Sequence, residues 1–143
     1  MGKVKDILDS KGGYVVYSVT PTTTVYAAIE QMCQKNIGGV LIVENDMLAG
    51  IFTERDYARK LILKGKSSKE TPIRDLMTAN PIAVSPQTSI EECMQIMSDK
   101  HIRHLPVLDG TKILGMISIG DVVTHVIQEQ KSIIAHLESY ISQ

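Results

Sequence analysis

The chain has 143 residues, 43% of them hydrophobic, and a formal net charge of -1 at neutral pH. A chain of that size buries about two thirds of its unfolded surface, enough for one compact domain or two small halves sharing a core. The near-neutral balance excludes the clustered basic excess of a nucleic-acid binder, no apolar run approaches the roughly 18 residues that cross a bilayer, and residues 1–9 are too charged for a signal peptide, so a soluble, cytoplasmic protein is expected.

From the N-terminus, residues 4–8 form a short amphipathic turn, matched before the second half of the chain by residues 73–77, with Asp6 and Asp75 at the same place in each. Residues 14–19, rich in β-branched and aromatic side chains, read as a strand closed by Thr20 and Pro21. The hydroxyls of residues 22–24 offer caps to a helix whose apolar positions Val25, Ala28, Ile29, Met32 and Cys33 recur at helical spacing. Gly38 and Gly39 are expected to end that helix and open a buried strand over 40–43; Asn45 and Asp46 turn the chain into a strand over 48–53, and a helix follows over 54–64. After a lysine- and serine-bearing linker the order repeats: strand 82–84, helix 88–100, a hairpin of 105–108 with 113–118 around Asp109 and Gly110, and a last helix opened by Asp121. In that last helix Val123, Ile127, Gln130, Ile134, Leu137 and Ile141 step by four and three alternately, which is a heptad seam.

The repetition is a duplication with a fixed register. Residues 115–121 (Gly, Met, Ile, Ser, Ile, Gly, Asp) replay residues 50–56 (Gly, Ile, Phe, Thr, Glu, Arg, Asp), and 86 − 21, 102 − 37, 97 − 32 and 84 − 19 for the matching Pro, Ile, Met and Val pairs all give 65. The two N-terminal turns differ by 69 instead, so the first copy holds four extra residues around Gly12 and Gly13, where a loop absorbs them. The expected division is a first repeat over 1–64, a linker over 65–72 and a second repeat over 73–143 with an extended C-terminal helix. The expected fold is α/β (α+β), two tandem β-α-β-β-α units related by a pseudo-two-fold.

The glycine-to-aspartate motif carries chemistry of its own. Thr53 and Ser118 stand where a strand ends and a helix begins, so a hydroxyl and free backbone amides point into one space, as in an anion site. Asp56 and Asp121, three residues on, lie in the first helical turn, where a carboxylate either caps the helix or accepts two hydrogen bonds from a ribose diol. The copies differ where a phosphate would lie. Repeat two has Arg103 and His104 where repeat one has Gly38 and Gly39, and repeat one has Arg55 where repeat two has Gly120. An arginine fork suits phosphate and a histidine adds a pH-sensitive donor, so two non-equivalent sites are expected. The two glycines either make room for a larger ligand or end the helix in the usual way.

The element order given twice, the tract 102–107 (Ile, Arg, His, Leu, Pro, Val) and the two motif copies resemble the cystathionine β-synthase (CBS) domain family over nearly the whole chain, in the form of a stand-alone CBS pair, or Bateman module. The resemblance implies a regulatory, energy-sensing module without catalytic activity that binds an adenine nucleotide (AMP, ADP, ATP or NAD(H)), with S-adenosylmethionine as an alternative ligand and no metal required. It implies ribose on the aspartates, phosphate near the hydroxyls, and adenine between Tyr17 and Ile102, with Ile82 and Ile37 as their repeat mates. It also implies a homodimer acting on a target protein. The other reading is a protein-interaction or dimerisation scaffold whose nucleotide site is vestigial, with the heptad seam as its contact.

No catalytic constellation emerges beside it. The four histidines do not pair with Cys33 or Cys93 at nucleophile or metal spacing, and the two cysteines read as buried, reduced thiols.

Overall fold

The computed structural model describes residues 2–12 and 14–142, so Gly13 of the expected insertion lies outside the described residues. The elements are α1 (Val4–Ser10), β1 (Ser18–Val19), α2 (Val25–Lys35), β2 (Gly39–Glu44), β3 (Met47–Thr53), α3 (Glu54–Asp56), β4 (Thr78–Ala79), α4 (Ile90–Lys100), β5 (His104–Asp109), β6 (Lys112–Ser118) and α5 (Ile119–Ile141). A π-helical turn, Tyr57–Leu61, continues α3, and a 3-10 turn, Ile73–Asp75, precedes β4. Mixed helices and sheets in two matched halves are the expected α+β architecture.

The 65-residue offset holds down to single hydrogen bonds. β1 runs parallel to β2 with Val19 opposite Ile42, and the bridge Val84↔Val107 repeats that pair 65 residues later. The β2–β3 hairpin pairs Leu41 with Ile51 and bulges after Ile42; β5–β6 pairs Pro106 with Met116 and bulges after Val107. Thr24 caps α2 by accepting from the Ala27 amide at 3.1 Å, and Ser89 caps α4 from Glu92 at the same distance. Each of these caps satisfies an amide that has no partner within the helix.

Three elements differ from expectation, each for a local reason. The strand over 14–19 shrinks to Ser18–Val19, because a parallel register with Ser18 opposite Leu41 sets residues 14–16 against residues 37–39, before β2 is under way. The strand over 82–84 shrinks further, to the single bridge at Val84. In repeat one the Leu41 amide donates to the Tyr17 carbonyl at 3.2 Å; its counterpart is Pro106, which has no N–H to give. Finally, Gly38 and Gly39 do not end α2. Asn36 does, in the left-handed conformation with φ of 54°, and His101 ends α4 identically. Both residue types tolerate that conformation better than most.

The two hydrophobic cores are built by exchange. α1 lies at the head of repeat one, yet Val4, Ile7 and Leu8 pack with Ile90, Leu105, Ile117 and Val122 of repeat two. Reciprocally, Ile73 and Leu76 pack with Val25, Val40 and Phe52 of repeat one. Matching backbone bonds lock both ends: Val4 N–H donates to the Thr88 carbonyl at 2.9 Å, and Ile73 N–H to the Thr23 carbonyl at 2.7 Å. Because each half completes the other's core, neither can bury its apolar face alone.

Candidate functional site: a basic cleft between the halves

Strand β3 delivers Thr53 to the start of α3, and the motif closes there as a capping box. The Asp56 amide donates to Thr53 Oγ1 at 3.2 Å, and Asp56 Oδ2 accepts from the Thr53 amide at 3.0 Å. Ser118 and Asp121 repeat both bonds, at 3.1 and 2.8 Å. Capping therefore uses one oxygen of each aspartate, Oδ2, and leaves Oδ1 outside the cap. The first-turn amides are less available than the sequence suggests. Glu54 N–H goes to the Gly38 carbonyl at 3.0 Å and Ile119 N–H to the Arg103 carbonyl at 2.8 Å, so the first amide of each helix is already engaged.

Between the halves lies a cleft of about 800 Å³, within the range of small-molecule sites. Its floor is the repeat-one motif, Thr53, Arg55 and Asp56, while Ile82, Ile102, Arg103 and His104 of repeat two form the opposite wall. One motif thus meets the apolar residues of the other repeat. Tyr17 and Ile37 do not line this cleft; both pack against the repeat-one core, with the Lys35 ammonium 5.9 Å from the centre of the Tyr17 ring. Ser118 and Asp121 also lie outside it. There Lys11, from just beyond α1, reaches Asp121 Oδ2 at 2.9 Å and the Met116 carbonyl at 3.3 Å.

Several lining residues escaped sequence reasoning. Lys60 pairs with the spare oxygen of Asp56, Oδ1, at 3.3 Å, and also donates to the Leu76 carbonyl at 3.1 Å. Its place four residues after Asp56 on a helical stretch was the available signal. Arg59 and Lys100 add charge, and Thr78 and Asn80 enter because β4 pairs along β3. The regular helix expected over 54–64 instead passes through the π-helical turn, a local widening common at functional sites. Arg55 stretches across the cleft and its guanidinium donates to the His101 carbonyl.

His104 answers the question posed by the paired glycines. A Cβ on Gly38 would stand 3.3 Å from its Nε2, and one on Gly39 3.3 Å from its Cδ2, so the missing side chains leave room for this ring, while Gly38 also lines the cleft. Burial pushes the His104 pKa below its usual value, against the opposing pull of Asp121, Glu54 and Asp56. Of the two thiols, Cys93 is buried, its pKa raised to about 11 by desolvation, whereas Cys33 is exposed, contrary to expectation.

The CBS domain profile matches residues 4–63 and 73–128. The chain is 42% identical to the mitochondrial CBS domain-containing protein CBSX3 of Arabidopsis thaliana, over 96% of this chain and 71% of that one. Among solved structures, a putative signal-transduction protein with CBS domains from Burkholderia ambifaria superposes with a TM-score of 0.86 at 48% identity, covering 90% of this chain and 96% of that one. The CBS domain pair of protein MJ0100, solved in complex with 5'-methylthioadenosine and S-adenosyl-L-methionine, superposes with a TM-score of 0.76 at 25% identity, covering 87% of this chain and 98% of that one. Two profile matches, the conserved offset and the reciprocal cores lead to one conclusion: the chain belongs to the CBS domain family, as a tandem pair.

Proposed function

We propose that the chain is a regulatory, non-catalytic module that binds an adenine nucleotide (AMP, ADP, ATP or NAD(H)) in the cleft between its halves and passes that state to a partner protein. The observation that carries this reading is the meeting of the Thr53–Asp56 motif with Ile82, Ile102 and Arg103 in one cleft. A carboxylate suits a ribose diol, the isoleucines suit a purine face, and the arginines suit phosphate. Support also comes from MJ0100, whose CBS pair was solved with two adenosine-containing ligands. The arginines favour a phosphorylated ligand over the sulfonium of S-adenosylmethionine. Because the ligand would touch both halves, and Arg55 already joins them, occupancy would favour one relative orientation; a partner responds only if its affinity differs between orientations. The working state is a homodimer in the cytoplasm, and the exposed apolar seam of α5 supports the self-association.

The same seam favours the second reading, a protein-interaction scaffold with a vestigial nucleotide site. A thermal-shift screen of ligand-free protein against AMP, ADP, ATP, NAD, NADH and S-adenosylmethionine, with GMP as control, separates the two. A ligand at 100 times its dissociation constant adds about 2.7 kcal/mol, which raises the melting temperature of a chain this size by several degrees. Stabilisation by adenine ligands alone supports the sensor. A flat response to every ligand leaves the scaffold.

A further inference from the structure

The duplication supplies an internal control, because each cation of the cleft has an equivalent position 65 residues away. Five cations line the cleft: Arg55, Arg59, Lys60, Lys100 and Arg103. Two carboxylates, Glu54 and Asp56, line it with them, leaving a formal excess of 5 − 2 = 3 positive charges. Transferred by 65 residues, Arg55 becomes Gly120, Arg59 becomes Thr124, Lys60 becomes His125 and Arg103 becomes Gly38; Lys100 alone keeps its charge, as Lys35. Four of the five cations of the cleft thus have no cation at the repeat-equivalent position, His125 being taken as neutral.

The use made of those cations sharpens the point. Lys60 is paired with Asp56 and Arg55 is bonded to the His101 carbonyl. The side chains of Arg59, Lys100 and Arg103 make no hydrogen bond or ion pair among the described residues, although they share one cleft. Like charges gathered without partners repel, and an anion with several charges relieves that repulsion better than a single phosphate. At the repeat-two motif the Lys11 ammonium is already seated on Asp121.

Building on the proposed adenine-nucleotide reading, we infer that the ligand of this cleft carries a phosphoanhydride chain of two or more phosphates, held by Arg59, Lys100 and Arg103, and that each chain binds one such ligand. The nucleoside end rests on Asp56, Ile82 and Ile102, and the phosphate chain lies along the three unpaired cations. The repeat-two motif, with Lys11 on Asp121, takes no polyphosphate.

Isothermal titration of the full chain with AMP, ADP, ATP and inorganic tripolyphosphate, in magnesium-free buffer at two salt concentrations, tests this. The expected result is a tenfold or greater gain in affinity from AMP to ATP, a steeper salt dependence for ATP, and one site per chain. The triple variant R59Q/K100Q/R103Q, checked by an unchanged ligand-free melting temperature, should lose the ATP advantage over AMP. Equal affinity for AMP, ADP and ATP overturns the inference and leaves the adenine reading intact, as does an ATP advantage that survives in the triple variant. Two ATP molecules per chain overturn the single-site assignment. Tight tripolyphosphate binding with no preference for ATP over GTP upholds the polyphosphate cleft while removing the adenine reading. Failure of all four ligands to bind overturns both.

Discussion

The Arg55 guanidinium, on the first helix of the repeat-one motif, donates to the backbone carbonyl of His101, the residue that ends α4 of repeat two in the left-handed conformation. The bond spans the mouth of the cleft and joins the halves at a position where repeat two has only Gly120. Arg55→Ala is expected to lower the melting temperature by about 3 °C, since a hydrogen bond from a charged group at a partly solvated site contributes about 1 kcal/mol. It should also weaken nucleotide binding through loss of the strap. A thermal melt unchanged from wild type would show that the strap carries no stability.

The two motif aspartates make the same cap but occupy different surroundings. Asp56→Asn and Asp121→Asn should each cost about 1 kcal/mol in a denaturant titration, the usual worth of a capping residue. Only Asp56 faces the basic cleft, so only its substitution should weaken ATP binding, by tenfold or more, as read by titration calorimetry. Equal losses of affinity from both substitutions would mean that both clefts fill.

Burial of the His104 ring gives the fold a pH dependence of known sign. Its folded pKa lies below the unfolded value of about 6.5, because desolvation over Gly38 and Gly39 outweighs the nearby carboxylates. In the window between those two values the unfolded chain binds more protons than the folded one, so stability rises with pH there. The contribution is complete above pH 6.5 or so and is lost as the pH falls toward the folded value. Melting temperature should therefore drop between pH 7.5 and 5.5, and His104→Gln should flatten that part of the profile. An identical slope in the variant would place the dependence on other groups.

Gly50 shows how closely β4 approaches β3. A Cβ there would stand 2.8 Å from the Thr78 carbonyl and 2.6 Å from the Met77 sulfur, since β4 pairs alongside β3 with Gly50 opposite Ala79. The sulfur can move; the carbonyl is backbone. Gly50→Ala should cost about 1–3 kcal/mol by overpacking, measurable by chemical denaturation, and should displace Thr78 and Asn80 from the cleft wall. Gly65, with nothing near it but a left-handed φ of 63°, is the contrasting site where Ala is penalised by backbone strain alone.

Much of this was legible in the sequence because duplication supplies its own alignment. Val84 and Val107 could be placed from Val19 and Ile42 by arithmetic, and Thr53 and Ser118 by the motif that follows Gly50 and Gly115. The contents of the cleft were harder to read because they depend on contacts across the pseudo-axis. Nothing local to Val4 or Ile7 says that they belong to the core of the other repeat. Lys11 and Lys60 serve corresponding aspartates from non-corresponding elements, so the offset that found the aspartates could not find their partners. Pro106 was the overlooked local signal: a proline where Leu41 donates a ladder bond predicts the shortened strand at Val84.

The α5 seam gives the last test. Val123, Ile127, Ile134 and Leu137 are each about half exposed, at 48%, 47%, 54% and 53%, and Ile141 more so, at 81%. Beyond residue 130 every described residue of the helix is exposed, so no described residue covers that end of its apolar stripe. Most helical stability in proteins comes from packing of an amphipathic face rather than from propensity, and this stretch has no such packing among the described residues. In the proposed homodimer the seam is the contact, with Gln130 as the polar position that fixes register. The double substitution Ile134→Glu with Leu137→Glu should convert a dimer to a monomer in sedimentation equilibrium and reduce the helical circular dichroism, while ATP binding in the cleft on the other side of Ser118 persists. A wild-type chain that sediments as a monomer at micromolar concentration would remove the homodimer, and the seam would then be the surface to which a different protein binds.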